Sequence, residues 1–190
     1  MALVDSGMKL LTIALLFCAS AMSIMAQTPA ASPTAPAVKE ANPADVASID
    51  SIMKAVYDVI SGDANQKRDW DRFRSLFHKD AKLIPSGKNA QTGVTGARYL
   101  TPEDYVTRSG PVLERDGFHE RELSRKVDQY GNIAQVFSTY VSFRKKDDKV
   151  PFMRGINSFQ LLNDGKRWWV ISIYWLAETP DNPIPAKYLN

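Results

Sequence analysis

The sequence predicts an α+β domain in which helices precede a strongly curved antiparallel sheet and pack on its concave side. Three observations carry that prediction. Short amphipathic segments with helix-capping residues fill the first half of the folded region, residues 46 to about 117. Four long, β-rich segments joined by turn sequences fill the second half. The last of these, "RWWVISIYW", carries apolar residues at almost every position, so both of its faces need cover.

The elements follow in chain order. Residues 10 to 26, "LLTIALLFCASAMSIMA", form an apolar run after Lys9 and end in small residues, the order of a secretory signal with cleavage after Ala26. "ASA" ending at Ala21 is a second cleavage site, and Met8 a second translation start. An uncleaved anchor is the bland alternative for so short a run. A lipoprotein signal fits less well, because Phe17 precedes Cys18 where a small residue belongs. Residues 27–45 are rich in Pro and Ala without apolar periodicity, and read as a linker.

From residue 46 to 180 the chain reads as one domain. Ile49, Ile52, Met53, Val56, Val59 and Ile60 recur at spacings of three and four, the stripe of an amphipathic helix that stops at Gly62. Asp69 caps a second, short helix, "WDRFRSLF". "AKLIPSG" predicts a short strand, and residues 88–96 a loop or weak hairpin. Thr101 and Pro102 open a third helix, which Gly110 and Pro111 are expected to break or kink. Four strands follow, joined at "GN", "KDDKV" and "NDGK". At about 10 to 13 residues each they are twice the usual length, so the sheet must twist and curl. Residues 181–190 are a tail.

Composition narrows function. Lys and Arg number 24 against 21 Asp and Glu, interspersed, which argues against nucleic acid as a partner. The single cysteine, Cys18, lies inside the signal, so the mature chain would hold no thiol and no disulfide. The expectation is a periplasmic or secreted protein, free of the membrane in its mature form. Two histidines, no HExxH and no cysteine pair leave no metal site. G-x-S-x-G is absent, and "GVTGAR" lacks both the lysine and the spacing of a phosphate loop, so no cofactor is expected.

The order of these elements, with "FRSLFHKDAKLIP", the closing hairpin "LLNDGKRWWVISIYW" and the tail "NPIPAKYL", resembles the nuclear transport factor 2-like superfamily, in particular its SnoaL-like secreted proteins. The resemblance covers roughly Val46 to Glu178. It implies a cone-shaped α+β barrel with three N-terminal helices, a deep pocket between helices and sheet, and frequent dimerisation. Members include ketosteroid isomerases, scytalone dehydratases, polyketide cyclases and accessory domains without chemistry.

Set against the ketosteroid isomerase pattern, the resemblance puts Pro85 where the catalytic carboxylate should stand, and proline accepts no proton. Asn157 falls where that family uses an acid as oxyanion donor. The family's tyrosine would fall at Ala55, with Tyr57 two residues away and expected to point elsewhere. The pocket is therefore expected to bind a small hydrophobic molecule, with Tyr140 and Asn157 as polar handles and Trp169 and Trp175 as aromatic wall. Plain core packing is the structural alternative for Tyr140, Trp169 and Trp175. Glu120 and Glu122 share one strand face, and a solvated face paired with Arg and Lys is the bland reading of both. An inward-pointing Glu with a raised pKa would favour an isomerase, cyclase or dehydratase on a hydrophobic carbonyl compound. A side-chain-filled cavity would favour a non-catalytic dimeric accessory module. The opposite sheet face, with Trp168 and Tyr174, is expected to meet a second copy in a homodimer.

Overall fold

The computed structural model describes residues 40–190; the expected signal and most of the expected linker lie outside them. Within the stretch taken as linker, Asn42 caps a one-turn helix, α1 (Pro43–Val46), whose Val46 is buried. Ser48 then caps α2 (Ile49–Ile60) through a reciprocal bond with Ser51, and Asp69 accepts from Arg72 N at 2.8 Å to start α3 (Trp70–Ser75). Thr101 and Asp104 form the capping box of α4 (Pro102–Asp116).

Helix α4 continues unbroken through Gly110 and Pro111, so the expected break does not occur. The bond Pro111 cannot donate would go to the carbonyl of Thr107, an exposed residue. Gly110 is needed for a different reason: a Cβ there would meet the Trp70 ring at 3.1 Å, so the glycine lets α4 lie against α3. Glu114 of α4 completes that contact, accepting from Trp70 Nε1 at 2.9 Å and from Lys67 Nζ at 2.9 Å.

Six strands form one sheet in the order β2-β1-β6-β5-β4-β3, with β1 (Phe77–Lys88), β2 (Thr95–Ala97), β3 (His119–Tyr130), β4 (Ile133–Phe143), β5 (Met153–Asn163) and β6 (Trp168–Ala177). All neighbours are antiparallel except β1 and β6, which run parallel. The segment 88–96 is the turn of the β1–β2 hairpin, folded around the Asn89 carboxamide, which accepts from Gln91 N and Thr92 N at 2.9 Å each. The turns "GN" and "NDGK" lie where the sequence places them, with Gly131 and Gly165 at φ 56° and 90°.

Two bulges decide which side chains face the helices. Between β5 and β6, Leu161 pairs with Val170 but Gln160 pairs with Ser172, so Ile171 is an extra residue. Alternation restarts after it. Trp168, Val170, Ile173 and Trp175 therefore share the helix-bearing face, while Trp169, Ser172 and Tyr174 lie on the other. This corrects the simple parity of the sequence, which paired Trp169 with Trp175 and turned Trp168 outward. Trp168 is in fact only 6% exposed. A second bulge, at Leu123 in β3, reverses the parity between Glu122 and Arg125 in the same way.

The outer face is covered in part by the chain itself. Ser124 and Thr139 both donate to the Tyr188 carbonyl at 2.5 Å, and the Tyr188 ring packs on Phe137 at 5.0 Å. Glu178 holds the tail's start by accepting from Ile184 N at 2.8 Å while pairing with Arg154.

Candidate functional site

The core narrows to a cavity of about 220 Å³ between α2, α4 and the helix-bearing face of β4, β5 and β6. Its wall is aromatic, from Tyr57, Phe73, Tyr105, Phe118, Phe159 and Trp175 among others. Of the four residues named from sequence, Tyr140, Asn157 and Trp175 line it. Trp169 does not. The bulge at Ile171 turns it to the outer face, where its Nε1 donates to Asp164 at 2.8 Å and the Arg167 guanidinium lies 3.6 Å over its ring.

Polar groups in the cavity form a directed chain. Ser138 Oγ donates to Glu122 Oε2 at 2.5 Å, so its oxygen is left to accept from the Tyr57 hydroxyl at 2.7 Å. Tyr57 in turn accepts from Asn157 Nδ2 at 3.2 Å, and the same nitrogen donates to Glu120 Oε1 at 3.3 Å. Ser142 Oγ donates to Glu120 Oε2 at 3.0 Å. Both hydrogens of Asn157 are thus committed. It positions Glu120 and Tyr57, and can reach a ligand only by giving up one of them.

Tyr57 is a correction to the expectation that it points elsewhere. It stands four residues after Met53 and three before Ile60, on the flank of the buried stripe of α2, and is 5% exposed. The sequence signal was present in that spacing. Glu120 is the residue that sequence reasoning set aside as a solvated face. It stands two residues beyond buried Phe118 on the same strand face, and it lines the cavity. Burial drives its carboxyl up to about 7, opposed by the bonds from Ser142 and Asn157. Burial also raises the hydroxyls of Tyr105 and Tyr140, and the nearby Glu120 charge adds to both. Among the described residues neither hydroxyl has a hydrogen-bond partner, and neither is sealed from the cavity.

Behind this cavity lies a charged cleft between α2 and β3, lined by Asp50, Lys54, Asp58, Arg121, Glu122 and Arg125. Tyr57 and Glu120 are the two residues common to both spaces. Glu122 belongs to the cleft, paired with Arg125 at 2.7 Å. Among the described residues no group of three or more His, Cys, Asp or Glu is arranged to hold a metal ion.

Gly155 sets the position of Tyr140. The two residues face each other across β4 and β5, and a Cβ on Gly155 would lie 2.6 Å from the Tyr140 hydroxyl and closer still to the Leu176 carbonyl. Gly155→Ala is expected to destabilise the domain by about 1–3 kcal/mol and to push the Tyr140 ring off the wall. A lowered urea midpoint and a shifted Tyr140 ring resonance would report the two effects; an unchanged pair would refute the close approach.

No protein-family model matches the chain, and no curated protein matches it either. Solved structures do. A protein of unknown function with a cystatin-like fold from Nostoc punctiforme matches with a TM-score of 0.52 at 12% identity, over 70% of this chain and 90% of that one. LinA matches with a TM-score of 0.51 at 10% identity, over 74% of this chain and 89% of its own. An uncharacterized cystatin-like protein from Caulobacter vibrioides matches with a TM-score of 0.50 at 14% identity, over 70% and 89%. Identities this low speak to architecture alone. Helices on one face of a bulged six-stranded sheet, with a cavity between them, give this chain the cystatin-like, nuclear transport factor 2-like fold.

Proposed function

We propose that the chain binds a small, largely hydrophobic molecule in the aromatic cavity, with Glu120 as the group that meets its polar end. The observation that supports this reading is a space of about 220 Å³ with an aromatic wall, the Glu120 carboxyl, and the Tyr105 and Tyr140 hydroxyls, which have no hydrogen-bond partner among the described residues. A cavity of roughly 150 Å³ accepts benzene, so this one has room for a single ring with a short substituent. Export and pairing of two copies belong to the same proposal. Residues 10 to 26, with the lone Cys18 inside them, support export. Tyr174 and Leu176, 49% and 42% exposed on the outer face, support pairing. Native mass spectrometry of the mature protein purified from its own host tests all three, through its N-terminus, its dimer mass and any retained ligand. A bare monomer would overturn both the ligand and the dimer.

A second reading, proton transfer on a hydrophobic carbonyl compound, is favoured by one specific observation. A carboxyl poised at about 7 beside the open hydroxyls of Tyr105 and Tyr140 has the makings of a general base with donors for an enolate oxygen. Phenylacetone in D2O is a direct probe. On this reading the wild-type protein exchanges its α-hydrogens and Glu120→Gln does not, a difference of about 10²–10⁴-fold. Equal exchange by the two proteins would leave the binding reading alone.

A further inference from the structure

Among the described residues Glu120 is an acid without an ion-pair partner. Its two oxygens are held by neutral donors, Ser142 at 3.0 Å and Asn157 at 3.3 Å. The acids around it are paired differently: Glu122 with Arg125 at 2.7 Å, Asp50 with Arg125 at 3.0 Å, and Asp58 with Lys54. Among the described residues no Lys, Arg or His lines the aromatic cavity. Arg121, the next residue in β3, lines the charged cleft and lies 4.6 Å over the Phe143 ring, without an ion pair to Glu120. A carboxylate drawn part-way out of water, as the half-buried Glu120 is, carries a cost that a cation would relieve. The ring faces around it are also electron-rich and attract cations. One kind of ligand satisfies both features together.

We propose that the ligand of this cavity is a small hydrophobic amine bound as its ammonium ion, with the ammonium on Glu120 and the hydrocarbon against Tyr57, Tyr140, Phe159 and Trp175. The proposal rests on the reading of the cavity as a ligand site. It excludes anions, since an acid and the negative faces of the rings both repel them. Neutral isosteres keep the hydrophobic contact and lose the ion pair.

Three single-ring probes of matched size test it with the wild-type protein: 2-phenylethylammonium, 2-phenylethanol and phenylacetate, measured by calorimetry or ligand-observed NMR. At pH 8 the ammonium is expected to bind at least about tenfold more tightly than the alcohol, and phenylacetate more weakly than either. Lowering the pH to 6 protonates Glu120, which stands at about 7 in the free protein, and weakens ammonium binding roughly tenfold without moving the alcohol. The groups facing Glu120 inside the cavity are the hydroxyls of Tyr57, Tyr105 and Tyr140, all raised and silent in that window. On the cleft side stand Asp50, Lys54 and Asp58 of α2 and Arg121, Glu122 and Arg125 of β3. Glu120→Gln is expected to abolish the preference and the pH dependence while the alcohol still binds. Alcohol and ammonium binding equally, with one pH profile, would overturn the proposal and leave the ligand site standing. If none of the three binds, the ligand-site reading falls and the amine with it.

Discussion

Replacing Arg68 by Met is expected to cost about 3–5 kcal/mol of stability, the largest single loss in the domain outside its apolar core. Arg68 is 7% exposed and its guanidinium meets backbone carbonyls in place of a carboxylate. Nε donates to Ile60 O at 3.1 Å, and Nη2 donates to Gly62 O at 2.6 Å and to Leu113 O at 3.1 Å. These carbonyls end α2 and lie near the end of α4, where helices carry unsatisfied acceptors and partial negative charge. One side chain therefore closes two helix ends at once. Met fills the volume but strands the Ile60 and Leu113 carbonyls, each worth about 1–3 kcal/mol when buried without a donor, while Gly62 keeps the bond from Phe118 N. The loss should spread to the cavity, because Gly62 pairs with Phe118, a cavity residue, through bonds of 2.7 and 3.0 Å. Urea denaturation reads the cost as a lowered midpoint, and weaker protection of the Phe118 amide from hydrogen exchange reads the spread. Arg68→Lys is expected to recover only part of it, since one ammonium cannot match a planar fork of donors. A midpoint unchanged in Arg68→Met would mean that water reaches those carbonyls.

How much of this could be read from sequence depends on whether the determinant is local. Helix caps and hairpin turns are, and Asp69, Thr101, Gly131 and Gly165 mark real boundaries. The bulges at Ile171 and Leu123 are not. Neither carries a glycine or proline, and both are set by what the neighbouring strand offers, so counting by twos along β6 misplaces Trp168 and Trp169. Arg68 sits in "NQKRDW", a charged stretch that looks like any solvated loop, and its role exists only once α2, α4 and the loop between α2 and α3 meet. Glu120 shows the same limit at the site. "FHERE" has the look of a charged strand, and the inward turn of its first Glu follows from Ser142 standing opposite on β4 and Asn157 one strand further on. The fold was written in local patterns, whereas the site's chemistry was written across strands.

Glu120→Gln is expected to make the protein more stable at pH 8 by about 1–3 kcal/mol and to change little at pH 4. The sign follows from the direction of the shift. Glu120 rises from the ordinary 4.5 to about 7 on folding, so between those values the folded chain holds a proton that the unfolded chain has lost. Raising the pH through that window therefore lowers stability, and above about 7 both states are ionised and the cost levels off at about 3 kcal/mol. Gln carries no charge to desolvate, though it must rearrange its bonds with Ser142 and Asn157, which trims the gain. The quantity to measure is the difference between the wild-type and variant stabilities from pH 4 to 8, in which every other titrating group cancels. A difference that does not change with pH would mean that Glu120 is hydrated and the cavity reading of it is wrong. If the difference grows as expected, Glu120 is kept at a cost to the fold, the mark of a residue retained for what it binds. Adding 2-phenylethylammonium at pH 8 should then raise the stability of the wild type more than that of Glu120→Gln, since only an ionised carboxylate gains from the cation.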